Sequence, residues 1–244
     1  MLDKDIRHNN KYDQNASRHK HWDVLYSIIR TLTIALLGIS LAVAVPLLWR
    51  NFYYMHVDAL HLAEHTPWSR AEIIEAFDEM MDYCMLGAPF DTGVLKWSNE
   101  GMEHFRDCRL LFTLDIHVLI VSTMMAAALF AIKKVGAVRE LRPLGRGPLF
   151  WGGFTEIILI TTVLGGVIFV DFNKAFIIFH RLFFPDKTNW LFDPAKDQII
   201  RILPEIYFRN CAILIAVIMT VFGALMMLLD FNIDRKVRNQ NSAE

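Results

Sequence analysis

Four separated apolar runs, each close to the roughly 20 residues needed to cross the hydrocarbon of a bilayer, dominate this 244-residue chain. They lie at about Ile28–Trp49, Leu110–Ile132, Leu149–Val170 and Tyr207–Leu229. Hydrophobic residues make up 54% of the sequence and are gathered into these runs rather than spread. That pattern excludes an ordinary soluble domain, and in lipid a helix satisfies its own backbone groups. The expectation is an all-α integral membrane protein, a four-transmembrane-helix bundle. The first run is not a cleavable leader: a polar segment precedes it, it is long, and no small-residue cleavage site follows. Only Glu156, about two turns inside the third run, places a charge away from a run's ends.

The net charge of −1 conceals a strong asymmetry. Lys4, Arg7, Lys11, Arg18 and Lys20 precede the first run. Lys133, Lys134, Arg139, Arg142 and Arg146 fill the linker between the second and third, and Arg235, Lys236 and Arg238 follow the fourth. Positive residues collect on the cytoplasmic side, so both termini are expected there. The domain reading is a polar cytoplasmic segment 1–25, a four-span domain 26–232 with outer loops at about 50–109 and 171–206, and a cytoplasmic tail 233–244.

The first outer loop is too long for a plain connector. SRAEIIEAFDEMMDYCM reads as an amphipathic helix with Ser69 and Glu72 at capping-box spacing, and GAPFDTG as a turn-rich break. SNEGMEHFRDCRLLF reads as a second helix, capped by Ser98 and running into the second span. These segments form a small extracytoplasmic helical crown. Cys84 and Cys108 fall in the same loop and leave pairing open; Cys211 reads as apolar filler. The chain has no CxxC, no phosphate-binding glycine loop and no repeat. No cofactor, bound metal or nucleic-acid partner is expected.

Titratable groups concentrate where headgroups would meet water. On a helix, Glu100, His104 and Asp107 share a face, and a carboxylate beside an imidazole fixes its tautomer as a general base requires; a solvated charged helix is the plainer alternative. His180 follows an aromatic stretch and precedes LFFP, so Phe179, Phe183 and Phe184 can desolvate it and keep the neutral base available; an interfacial anchor is the plainer role. His56, His61 and His65 read as a solvated surface helix, since no HExxH frames a metal site. Asp115 and His117, two apart on a helix, point to different faces. Glu156 is expected to meet an arginine of the cytoplasmic linker or a hydrogen bond within the bundle. Asp193-Pro194 suits a capped helix start, and Trp190 an interfacial anchor.

The segment FHRLFF…NWLFDPAKDQIIRILPE, with EHFRDCR before the second span, resembles the four-span lipoprotein intramolecular transacylase family of Gram-positive bacteria, and the topology agrees from Ile28 onward. Where that family's pattern has a histidine followed by Met-x-Asp-Val, this chain has His104-Phe-Arg-Asp107-Cys. The resemblance implies transfer of the 2-position acyl chain of a diacylglyceryl-modified lipoprotein to its N-terminal cysteine amine. The bacterial cell membrane is the implied location, with membrane phospholipid as surroundings and the active site on the extracytoplasmic face. It further implies His180 and His104 as the catalytic pair, with Asp107 orienting His104. Asn189, Trp190, Asp193, Asp197 and Glu205 match the second motif and are expected to shape the site or bind headgroup and peptide. Tyr83, Arg106 and Arg109 are added on chemistry alone, as oxyanion or substrate-positioning groups.

Such a reaction needs no nucleotide, because an amide is more stable than the ester it replaces. Two rivals stand beside it: a membrane lipid hydrolase or thioesterase, using zinc through both histidines and a carboxylate, and a non-catalytic membrane sensor or scaffold.

Overall fold

The computed structural model describes the backbone of residues 2–136 and 138–241, and their side chains apart from 2–19, 164, 165, 167–170, 237, 238, 240 and 241. Among the described residues the regular structure is entirely helical. The α-helices run in order as α1 (Leu2–Leu48), α2 (Arg50–Ala59), α3 (Leu62–His65), α4 (Arg70–Leu86), α5 (Asn99–Lys134), α6 (Pro148–Val170), α7 (Phe172–Phe183) and α8 (Glu205–Asn241). Three segments are long and apolar enough to cross a membrane, Lys20–Leu48, Asn99–Lys134 and Glu205–Lys236; α6 adds a shorter apolar stretch, Pro148–Val163.

Helix ends follow local chemistry. Pro46 has no N–H for the helical ladder, and α1 ends two residues later. Ser69 accepts the Glu72 backbone N–H while Glu72 reaches back to Ser69, so α4 begins with the capping box the sequence announces. Gly87, at φ 79°, ends that helix in the left-handed conformation open to glycine. Ser98 Oγ accepts the Gly101 N–H at 3.1 Å at the start of α5. Asp171 accepts the Lys174 N–H at 2.9 Å and caps α7.

The chain divides into two compact units, to which the long helices contribute different stretches. The first comprises residues 1–39, 119–159 and 219–244. Within it α6 and α8 approach backbone to backbone: a Cβ on Gly223 would lie 2.7 Å from the Gly153 carbonyl oxygen, a closeness that small residues permit between membrane helices. The linker after α5 is pinned rather than free. Glu140 pairs with both Arg30 and Lys133. Arg142 reaches Asp230 at 3.1 Å and Asp234 at 2.6 Å. Asp23 accepts the Arg139 N–H, and Ser27 the Leu141 N–H, each at 2.8 Å. The arginine expected for Glu156 is thus committed elsewhere. Glu156 is fully buried against the Gly38 backbone, its carboxyl oxygens without a hydrogen-bond partner among the described residues.

The second unit comprises residues 40–118 and 160–218. Its core joins α2 and α4 to the loop before α8: Tyr53, Ile73, Phe77, Ile199 and Ile202 are all nearly or wholly buried. The Tyr53 ring stacks on Phe77 at 3.7 Å, and its hydroxyl donates to the Ile202 carbonyl at 2.8 Å. Removing only that hydroxyl leaves a buried carbonyl unpaired, which costs about 1–3 kcal/mol. Tyr53→Phe is therefore expected to lower the unfolding temperature in detergent, followed by circular dichroism. An unchanged midpoint would show that Ile202 finds another donor.

The expected helix start at Asp193-Pro194 is instead a turn. Asp193 Oδ1 accepts the Ala195 N–H at 2.9 Å, and its carbonyl accepts from Lys196 and Asp197. Regular structure resumes only with a short 3-10 turn at Gln198–Arg201. The chain is held there by a distant segment: Lys96 and Gln198 exchange two hydrogen bonds, at 2.8 and 2.9 Å.

Candidate active site

Within the second unit α7 is sharply amphipathic. Ile178, Phe179, Leu182 and Phe183 are exposed, whereas His180 on the opposite side is 7% exposed. His104, in the second turn of α5, is 5% exposed. The two imidazoles face each other with ring centroids 5.7 Å apart. Phe184 and Phe192 pack edge-on against His104 at 5.0 and 5.4 Å. Phe176 and Trp190 lie over His180 at 4.1 and 4.8 Å. Two cations this close behind aromatic walls would repel with little water to screen them, so the arrangement favours at most one proton beyond the neutral pair.

The hydrogen bonds make the rings unequal. His180 Nδ1 lies 2.8 Å from the Phe176 carbonyl oxygen. A carbonyl only accepts, so Nδ1 carries the proton and Nε2 holds the lone pair in the neutral ring. Burial lowers the His180 pKa below the usual histidine value, and the Phe176 carbonyl opposes this in part. His104 Nε2 lies 3.4 Å from Cys108 Sγ, while its Nδ1 is buried without a partner among the described residues.

Asp107 does not orient His104 as the helical spacing led one to expect. Its carboxylate accepts from Lys187 Nζ at 2.6 Å and from Asn189 Nδ2 at 3.3 Å. A lysine ammonium is the stronger partner for a carboxylate than a neutral imidazole. The pair ties the loop after α7 to α5, and that loop carries Trp190, whose indole N–H donates to the Lys187 carbonyl at 3.0 Å.

The cluster thus unites His104, His180, Asp107, Asn189 and Trp190. The other residues singled out make their contacts elsewhere. Arg109 lies over the Tyr83 ring at 5.3 Å, and Arg106 pairs on the surface with Glu103 at 3.7 Å. Asp193 shapes its turn, and Glu205 is exposed at the start of α8. Asp197 is buried and accepts from the Ser98 N–H at 2.8 Å and the Ser98 hydroxyl at 2.9 Å, so it docks the start of α5. Lys187, Phe192 and Cys108 are the members that sequence reasoning passed over. Phe192 and Cys108 lie inside the motifs and Lys187 between the two halves of one, but only the fold discloses what they face. Among the remaining histidines, His56 bonds the Phe52 carbonyl and Asn210, His61 bonds Glu64, and His117 bonds the Thr113 carbonyl.

The family model described as lipoprotein intramolecular transacylase Lit matches residues 28–208. The chain belongs to the Lit family. Its apolar helices and that membership make it a membrane protein. Solved structures agree in fold. The in meso structure of membrane-integral Lit from Bacillus cereus has a TM-score of 0.79 at 24% identity, covering 91% of this chain and 99% of the other. A variant of it with one histidine-to-arginine change has a TM-score of 0.75 at 22% identity, covering 95% and 99%. An uncharacterised protein of Aquifex aeolicus (strain VF5) is 25% identical over 141 residues, 57% of this chain. This Lit-family chain spans 59% of that relative's length.

Proposed function

We propose that this Lit-family protein moves the acyl chain at the glycerol 2-position of a diacylglyceryl lipoprotein to the amine of its N-terminal cysteine, yielding the lyso-form. The observation that carries the reading is the facing histidine pair behind aromatic walls, in a chain of this family. Both reacting groups belong to one substrate, so holding them together lowers the barrier through proximity, by up to about 7–11 kcal/mol in ideal cases. The amine attacks the ester carbonyl and passes a proton to His180 Nε2, the lone-pair nitrogen. The tetrahedral centre collapses, the bond to the glycerol oxygen breaks, and that oxygen takes a proton from His104. An amide and a free glycerol hydroxyl result. Asp107, Lys187 and Asn189 hold the Trp190 loop in place around the substrate.

Four spans serve this chemistry, with α6 as the third. Residues 1–25 and 233–244 are cytoplasmic, 26–232 form the membrane domain, and α2–α4 and α7 form the extracytoplasmic crown. The distribution of lysine and arginine supports this orientation. The substrate and surrounding phospholipid share the outer leaflet.

The test co-expresses the protein with a tagged lipoprotein in a host that makes diacylglyceryl, free-amine lipoproteins, then fragments the N-terminal lipopeptide by mass spectrometry. Intramolecular transfer conserves mass, so fragments must locate each chain. An N-acyl cysteine on a monoacyl glyceryl group is expected. Loss of one acyl mass would mean a hydrolase, and an unchanged peptide beside folded protein would defeat the reading.

The pH profile follows from the His180 environment. The substrate amine, with a pKa of about 8, must be neutral to attack, so the rate rises with pH. The lowered His180 pKa keeps that base neutral below the usual value of about 6.5. Single-turnover log rates should therefore fall with unit slope from pH 8 to below 6.5, steepening only where His180 also protonates. A second break near 6.5 would remove His180 as the desolvated base.

A further inference from the structure

Two atoms of the site, Asn189 Oδ1 and His104 Nδ1, are buried without a partner among the described residues, and the His104 side chain is only 5% exposed. Asp107, three residues on, is engaged by Lys187 and Asn189, and Glu103, the adjacent carboxylate, meets Arg106 on the surface. That leaves the Cys108 thiol, one helical turn on, with Sγ 3.4 Å from His104 Nε2. Cys108 is a free cysteine. A thiol proton directed at an imidazole nitrogen marks that nitrogen as the acceptor, and the ring proton then resides on the other.

We infer that Cys108 is a positioning residue that sets the tautomer of His104: its S–H donates to Nε2, so that Nδ1–H is the free donor inside the pocket. This rests on the transacylase reading above and deepens it. His180, bonded to the Phe176 carbonyl through Nδ1–H, presents a lone pair. His104, held by Cys108, presents a hydrogen. The two rings are thereby made complementary, one to take the amine proton and one to give a proton to the departing glycerol oxygen. His104 regains its proton from the amine by way of His180 once the products part. Cys108 itself forms no bond to the acyl group. Burial pushes its thiol pKa up, whereas a cysteine nucleophile is activated by a lowered one.

The experiment compares the full-length wild type with Cys108→Val and Cys108→Ser, each labelled with 15N-histidine in detergent micelles. His104 signals are assigned by their loss in His104→Gln. In the wild type, Nε2 is expected at the shift of an unprotonated ring nitrogen and Nδ1 at that of a protonated one. Cys108→Val should average the two and slow single-turnover transfer on a diacylglyceryl-cysteinyl peptide about tenfold, part of the roughly 10²–10⁴ a positioned proton donor supplies. Cys108→Ser keeps an O–H donor and should restore both the shifts and the rate, which a merely space-filling role would not do. The His180 signals, unchanged across the set, report that the pocket stays folded.

The inference is overturned if wild-type His104 carries its proton on Nε2, or if the valine variant keeps wild-type shifts and rate. A hydroxylamine-labile acyl group trapped on Cys108 would overturn it too, by making the thiol a nucleophile. Failure of the transacylase reading is separately visible: the wild type would then yield no N-acyl product, whatever the tautomer.

Discussion

His180→Ala is expected to lower the single-turnover rate of acyl transfer by about 10²–10⁴, the range lost with a positioned general base. The variant should remain folded, because His180 contributes one side-chain hydrogen bond, to a carbonyl of its own helix. His180→Gln provides the control in which ring-sized volume is largely kept. His104→Ala should fall by a comparable factor, and the double variant by much less than the product, since residues that act as one unit are not additive. The check is location of the acyl chains by fragment mass spectrometry at matched protein levels, with thermal unfolding in detergent alongside. Full N-acylation by folded His180→Ala would refute the two-histidine mechanism.

Gly101→Ala should destabilise the fold strongly through a single methyl group. A Cβ there would overlap Asp197 Oδ1 and come within 2.8 Å of Asp197 Cγ. Asp197 cannot swing away cheaply, because it is buried and holds both the N–H and the hydroxyl of Ser98. Leaving a buried carboxylate without its hydrogen-bond donors costs about 1–3 kcal/mol or more. The effect should extend to catalysis, since Phe192, which packs on His104, lies 3.4 Å from the same point. The measurement is a double-mutant cycle with Asp197→Ala, following unfolding temperature and transfer rate. In the Asp197→Ala background, Gly101→Ala should cost almost nothing further. Equal costs in both backgrounds would show that the overlap is not the cause.

Much of the helical frame was legible because its signals are local. The four apolar runs fall within α1, α5, α6 and α8 apart from Trp49, which lies just past α1, and Ser69 and Ser98 mark true helix starts. His104 and His180 were recognisable within motifs on opposite sides of a long stretch of chain. What spacing could not supply was the choice among competing partners. Asp107 lies on the helix face that His104 suggests, yet it bonds a lysine 80 residues away. Glu156 had arginines within reach by sequence, but Asp230 and Asp234 on α8 take Arg142 with two carboxylates. Asp193-Pro194 looked like a helix cap because the same hydrogen bond that caps a helix also closes a turn. For Asp107 and Glu156 the deciding group is remote in sequence, and periodicity carries no information about it.

The pairings of Ser98 with Asp197 and of Lys96 with Gln198 span 99 and 102 residues of chain. Closing so long a loop is entropically costly and happens late. During biosynthesis the ribosome completes α1 to α7 before Gln198 exists, so the nascent protein carries His104 and His180 for some time without the clasp that docks their supporting segments. The proposed acyl-transfer site at the membrane surface is thereby withheld until the chain is almost finished. A product released before Asp197 is predicted to be an inert membrane helix bundle rather than a partly active enzyme.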